Sequence, residues 1–309
     1  GTESYPGFSG DPVNRVAPTG MYDEDIHFYV VYYLLRAKGW SAAEAEPVAT
    51  YSQYVDDFPT WGDAPTVGAM ALYETEPAVR NLLYGINADF HFYGSSQTTV
   101  TEAGNCTKKL KGALENYKEK NGGEEAAALV GRWLHTFADT FSHQLFTAYT
   151  SENNKRKGYG FPYNSAPPMA HAQAGHDPDL PYMHLATAIE TAKAIYDLLP
   201  PRGAVREWSD VEKDLTKVLT DPKTTFVVVS EEFFSGSHTF VFEYTLNRRV
   251  DALKSLIKAT FGDDVTYDKK KGNAALYARV TGLDKRIEEY QQALKESVER
   301  NPHTVPFGY

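Results

Sequence analysis

The sequence predicts a mainly α-helical protein, a multi-helix bundle with long loops. Three observations carry this. Apolar residues recur at helical spacing through most of the chain, as in 123–150, where Leu129, Trp133, Phe137 and Phe141 fall every fourth residue. Only one run, "TFVVVS" at 225–230, reads clearly as a strand, and it is short. Apolar residues make up 42% of 309, which is enough core for one large domain or two ordinary ones.

In chain order, residues 1–20 are rich in Gly, Pro and Ser and read as an irregular leader. "EDIHFYVVYYLLRAKG" (24–39) reads as a helix stopped by Gly39. A second helix, 41–57, opens on a capping box from Ser41 to Glu44 and tolerates Pro47. Residues 58–68 form a Pro/Gly loop. "PAVRNLLYGINADFHFYG" is mixed in character and puts His91 at an element end. Residues 93–108 read as a loop. The segment 123–150 is the longest helix, and 151–184 is a long loop dense in Pro, Gly and His. Loops of that length inside a domain tend to be functional or disordered. Helices are expected again at about 181–199, 209–219, 239–261 and 273–299. The organisation is a leader (1–20), a helical core (21–200) and C-terminal helices (201–309) packed on the same domain.

Composition narrows the function. The net charge of −10 argues against broad binding to a phosphate backbone, so nucleic acid is expected only as a substrate. A small molecule or lipid headgroup held through metal ions remains compatible, because the ions bring their own charge. With Cys106 alone, neither an intrachain disulfide nor a thiolate zinc finger can form. No apolar run reaches the ~18 residues of a membrane span. Secreted and cytoplasmic locations both fit, and oligomeric state is left open. The 21 tyrosines suit an interior whose polar ends need partners.

The segment "LHTFADTFSHQLF" (134–146) carries the chemistry. It spaces His135, Asp139 and His143 four residues apart, which puts all three on one helix face. The rise from His135 to His143 is ~12 Å, too far for one ion but suited to two, with Asp139 bridging. Imidazole and carboxylate without sulfur suit zinc, and also iron or manganese. Taken alone, H-x-x-x-D on a helix is more often a surface pair than a ligand set. The other histidines shift the balance. His27 lies in "DEDIHF" beside Asp23 and Asp25, and His91 in "NADFHF" beside Asp89. His171 and His176 lie in "AHAQAGHDPD" with Asp177 and Asp179. Asp56 and Asp57 end the second helix, where carboxylates oppose the helix dipole and call for compensation. His184, His238 and His303 carry the ordinary structural reading.

The order of these motifs resembles the zinc-dependent phospholipase C and P1-type nuclease superfamily. "DEDIHFYVVYYLLR", "QYVDD", "HTFADTFSHQLF" and "GHDPDLP" are more closely similar to a bacterial family of unknown function distantly related to that superfamily. The resemblance covers about 21–190. It implies a bundle of the phospholipase C/P1 nuclease type and two or three zinc ions. The implied ligands are His27, Asp56 or Asp57, His91, His135, Asp139 and His143, with one or both of His171 and His176. Asp23 or Asp25 could stand in for a further ligand, and Asp139 bridges. Whichever of Asp56 and Asp57 is not a ligand orients the attacking water or takes its proton. Lys155 and Arg156 could meet an anion, and the aromatic loop 159–163 could cover the site. The expectation is a metal-dependent hydrolase of phosphoesters. A di-iron oxidative enzyme and a structural metal protein are the alternatives.

Overall fold

From Ile26 to Trp40 every apolar side chain is buried. A helix that is apolar all round belongs at the centre of a domain, and this one has neighbours on every side. The computed structural model describes residues 24–58, 77–91, 105–142, 181, 184–220, 226–233, 236–243 and 246–300. The central helix begins as a π-helical segment, Asp25–Val30, and continues as α1, Val31–Ala37. α2 (Ala42–Asp57) starts on the expected capping box, with Ser41 and Glu44 bonding each other's backbone. α3 is Pro77–Phe90, and His91 follows its last residue. α4 (Asn105–Glu119) and α5 (Glu124–Ser142) come next, then α6 (Leu185–Leu198) and α7 (Trp208–Leu219). β1 (Phe226–Phe233) and β2 (Gly236–Glu243) pair antiparallel, Phe226 opposite Glu243 and Phe233 opposite Gly236. α8 (Leu246–Phe261) leads to a 3-10 turn at Lys269–Lys271. α9 (Ala274–Thr281) ends at Gly282 with φ 74°, the left-handed cap that stops a helix. α10 is Leu283–Arg300.

Three expectations need correction. Residues 105–108 open α4 instead of closing a loop. The buried series Cys106, Leu110, Ala113, Leu114 and Tyr117 is the apolar stripe that makes the helix, masked in the sequence by its lysines. The helix expected over 239–261 starts only at Leu246, because 239–243 belong to β2. The helix expected over 273–299 is two helices, broken at Gly282. The leader 1–20 and the body of the loop 151–184 lie outside the described residues.

α5 crosses α2 at Gly131. A Cβ there would stand 2.6 Å from the Val48 carbonyl and 2.7 Å from the Ser52 nitrogen. Only glycine permits this backbone approach, and it sets the end of α2 opposite the turn of α5 that carries His135. The C-terminal helices share the same core: Leu253, Ile257, Tyr277 and Leu283 are buried in one cluster with Tyr29 and Phe28. Backbone bonds tie residues 202–206 to the end of α1, from Arg202 N to Lys38 O and from Arg206 N to Ala37 O. Many of the tyrosines do what their number suggested. Tyr32 donates to Asp263 at 2.9 Å, Tyr33 to Asp214 at 2.7 Å and Tyr51 to Glu124 at 2.7 Å, each ring in the core and each hydroxyl on a carboxylate. Among the described residues no helix is long and apolar enough to cross a membrane.

Candidate metal centre

Five polar side chains from four elements converge in the core. His27 comes from the π segment, Asp56 from the last turn of α2, His91 from the residue after α3, and His135 and Asp139 from α5. His27, His135 and Asp139 are fully buried and His91 nearly so, while the Asp56 side chain keeps 14% of its surface exposed. Asp139 is the hub. Its Oδ1 lies 3.2 Å from His27 Nε2, and its Oδ2 lies 3.2 Å from His91 Nδ1 and 3.1 Å from His135 Nε2. His135 Nε2 is also 3.2 Å from His91 Nδ1 and 3.5 Å from Asp56 Oδ1, and His91 Nδ1 is 3.8 Å from Asp56 Oδ1. The His27 and His135 rings stack at 3.8 Å between centroids.

Local structure explains the placement. His135 and Asp139, one turn apart on α5, share a face as their spacing requires. His91 sits where α3 ends, and side chains of α5 fix that end. Thr136 Oγ1 donates to the Phe90 carbonyl at 2.7 Å, and Arg132 Nη2 donates to the Asp89 carbonyl at 3.0 Å. Both acceptors are carbonyls that a helix terminus leaves open. His27 lies in a π turn, a geometry found often at functional sites. Nothing in the residues of 25–30 marks that turn.

The donor set fits a cation. Ligands ~2.0–2.2 Å from a tetrahedral zinc stand ~3.3–3.6 Å from one another. The contacts here, 3.1 to 3.8 Å, bracket that spacing. Two triads can be drawn: His91 with His135 and Asp139, and His27 with Asp56 and His135. Burial, then the neighbouring His27, pushes His135 down to about 3. Its ring is therefore neutral at pH 7, the form in which imidazole binds metal. Two carboxylates and a neutral imidazole side by side form a donor set that a cation would complete.

The expected ligands divide as follows. His27, His91, His135 and Asp139 are brought together. Of the pair ending α2, Asp56 faces the histidines. Asp57 faces away and accepts from Tyr267 Oη at 2.8 Å. Of the two alternatives left open, the geometry puts Asp56 beside the histidines: residues 56 and 57 project ~100° apart on the helix, and it is Asp56 that points inward. Asp25 is not in the cluster. Its Oδ2 accepts from Arg249 Nε at 2.6 Å and its Oδ1 from the Ile26 amide at 2.8 Å. Residues two apart on a helix face opposite ways, so Asp25 and His27 cannot share a site. His143, His171, His176, Lys155, Arg156, loop 159–163 and His303 lie outside the described residues. His184 stands at the N-cap of α6 without a side-chain capping bond, and His238 falls in β2. Sequence reading missed Thr136, Arg132, Gly131 and Tyr267 as positioning residues. Thr136 and Arg132 could have been suspected from their place on the helix of His135, whereas Tyr267 gave no signal.

A buried cluster of histidines and aspartates on helices, with one carboxylate touching three rings, defines a candidate metal centre. The chain belongs to a family of unknown function, DUF6765, whose model matches residues 22–306. No curated protein and no solved structure matches it.

Proposed function

We propose that this protein is a metal-dependent hydrolase of phosphoester bonds, with zinc as its resident ion. The observation that carries the reading is Asp139, whose two oxygens are engaged by different imidazoles in the manner of a bridging carboxylate. His91, His135 and Asp139 Oδ2 would hold one ion, and His27 with Asp56 or Asp139 Oδ1 offers a second position. These residues would let a zinc ion, once bound, supply the usual chemistry of such sites, a water whose pKa would fall toward 7 and polarisation of a phosphoryl oxygen. Asp56 is the partly exposed member of the cluster, so it stands where a substrate and its attacking water would enter. Its carboxylate can orient that water or take its proton. Tyr267 holds Asp57 off this path. The motif likeness to the phospholipase C and P1 nuclease superfamily supports phosphoesters as the substrate class, and the overall negative charge favours a small or headgroup-sized substrate over a polymer.

The test is elemental analysis of protein purified without added metal, beside Asp139→Ala, followed by a screen of phosphomonoesters and phosphodiesters. Two or three zinc ions per chain, lost in the variant together with hydrolysis, are expected. Iron in place of zinc would redirect the reading to an oxidative di-iron enzyme. A single zinc that supports stability but no turnover would make the centre structural. No metal in either protein would end the proposal.

A further inference from the structure

Asp56 turns its two oxygens to different neighbours. Its Oδ1 lies 3.5 Å from His135 Nε2 and 3.8 Å from His91 Nδ1, while its Oδ2 accepts from the Gln53 side-chain amide at 3.3 Å. Gln53 stands one turn earlier on α2, and the three-residue spacing sets both side chains on one face. Pairs of Gln and Asp at this spacing are ordinary on exposed helix faces. Gln53, however, is only 3% exposed, and its Oε1 is buried and meets no donor among the described residues. A buried amide with a hydrogen bond unmade costs stability that an apolar side chain of the same length would not. The setting of the amide is fixed as well. An ionised carboxylate only accepts, so Nε2 and not Oε1 must face Asp56.

We propose that Gln53 is a positioning residue of the metal centre: by donating to Asp56 Oδ2 it turns Oδ1 toward His135 and His91 as a single-oxygen ligand. This rests on the reading of the cluster as a metal centre. Carboxylates that hold metals are commonly hydrogen-bonded themselves, and these outer partners tune the affinity of the site. Without the Gln53 donor, Asp56 would be free to turn about its last bond, and both of its oxygens would compete for the same cation. The neighbouring acid is held in the same manner from the other side, where Tyr267 Oη donates to Asp57 Oδ2 at 2.8 Å. Each of the two adjacent carboxylates thus has its own donor, and the one that faces the histidines takes its donor from its own helix.

Zinc affinity is measured by competition with a chromophoric chelator on the full chain. The proteins compared are wild type, Gln53→Met, Gln53→Leu, Asp56→Asn and the double variant Gln53→Met/Asp56→Asn. Methionine and leucine nearly conserve the volume of glutamine, and melting temperatures in EDTA check that the fold is kept. Each Gln53 variant is expected to bind zinc about 10- to 100-fold more weakly. The double variant should bind no more weakly than Asp56→Asn, because Gln53 acts through Asp56. The visible spectrum of the cobalt(II)-substituted protein should shift in Gln53→Met, a change that a packing defect elsewhere in the core would not produce. Ser52→Ala is the control. Ser52 is as deeply buried, and its hydroxyl also lacks a partner among the described residues, so its loss should leave affinity and spectrum unchanged. Equal zinc affinity in the Gln53 variants, an equal loss in Ser52→Ala, or additive losses in the double variant would overturn this inference and leave the metal centre standing. A wild-type protein that takes up no zinc would overturn both.

Discussion

Asp25 and Asp139 are both buried carboxylates beside the same π turn, yet their surroundings differ in kind. Asp25 meets Arg249, a permanent cation, at 2.6 Å, with the Ile26 amide on its other oxygen. Asp139 meets three imidazoles, one of which burial holds in its neutral form. The same contrast recurs around the molecule. Asp263 is taken by Arg36 and Tyr32, and Asp214 by Arg206 and Tyr33. Acids that hold the fold together are paired with arginines and tyrosines, which complete them. The acids of the cluster are instead grouped with imidazoles, a donor set that could share a cation.

Breaking each side of this contrast should give different signatures. Arg249→Met leaves Asp25 buried without its cation and should cost about 3–5 kcal/mol in urea unfolding, with or without a chelator. A cost that vanishes when metal is removed would mean that Asp25 belongs to the metal centre after all. Asp56→Asn should lower metal affinity by at least about 10- to 100-fold, the cost already seen when only a group behind a ligand is lost. Asp57→Asn should leave affinity nearly unchanged. Competition with a chromophoric chelator separates them, and equal losses would erase the distinction drawn between the two residues.

A further expected effect is one of pH. In the metal-free protein the unfolded chain protonates His135 near 6.5, while the folded chain resists until about 3. The unfolded state therefore binds more protons across that window, and stability must fall as pH falls through it. The slope approaches about 1.4 kcal/mol per pH unit well below 6.5. Melting curves from pH 7 to 4.5 in EDTA check the sign, and stability rising on acidification would show His135 charged in the fold.

Much of this was legible in the residues themselves. The four-residue spacing of His135 and Asp139 fixes a shared face on any helix, and the end of the α3 pattern put His91 at a terminus. The capping box of α2 was readable for the same reason, since it is a local arrangement of a few side chains. What stayed hidden depends on partners far away in the chain. Asp56 and Asp57 are equivalent in sequence, and Tyr267 decides between them. Asp25 looked like a ligand because it stands beside His27, but Arg249 lies on the other side of the helix to receive it. α4 was overlooked because its lysines hide its apolar stripe, and the π turn has no signature in residue type.

That π turn couples two distant parts of the molecule. A π turn is an α-helix with a residue to spare. Removing one residue between His27 and Val31 would restore the ordinary winding and rotate everything before it by ~100°. Asp25 would leave Arg249 and His27 would leave Asp139 in the same event. The clamp that stabilises the centre of the fold and the corner of the candidate metal centre are thus registered by the same turn, and a deletion there would undo both.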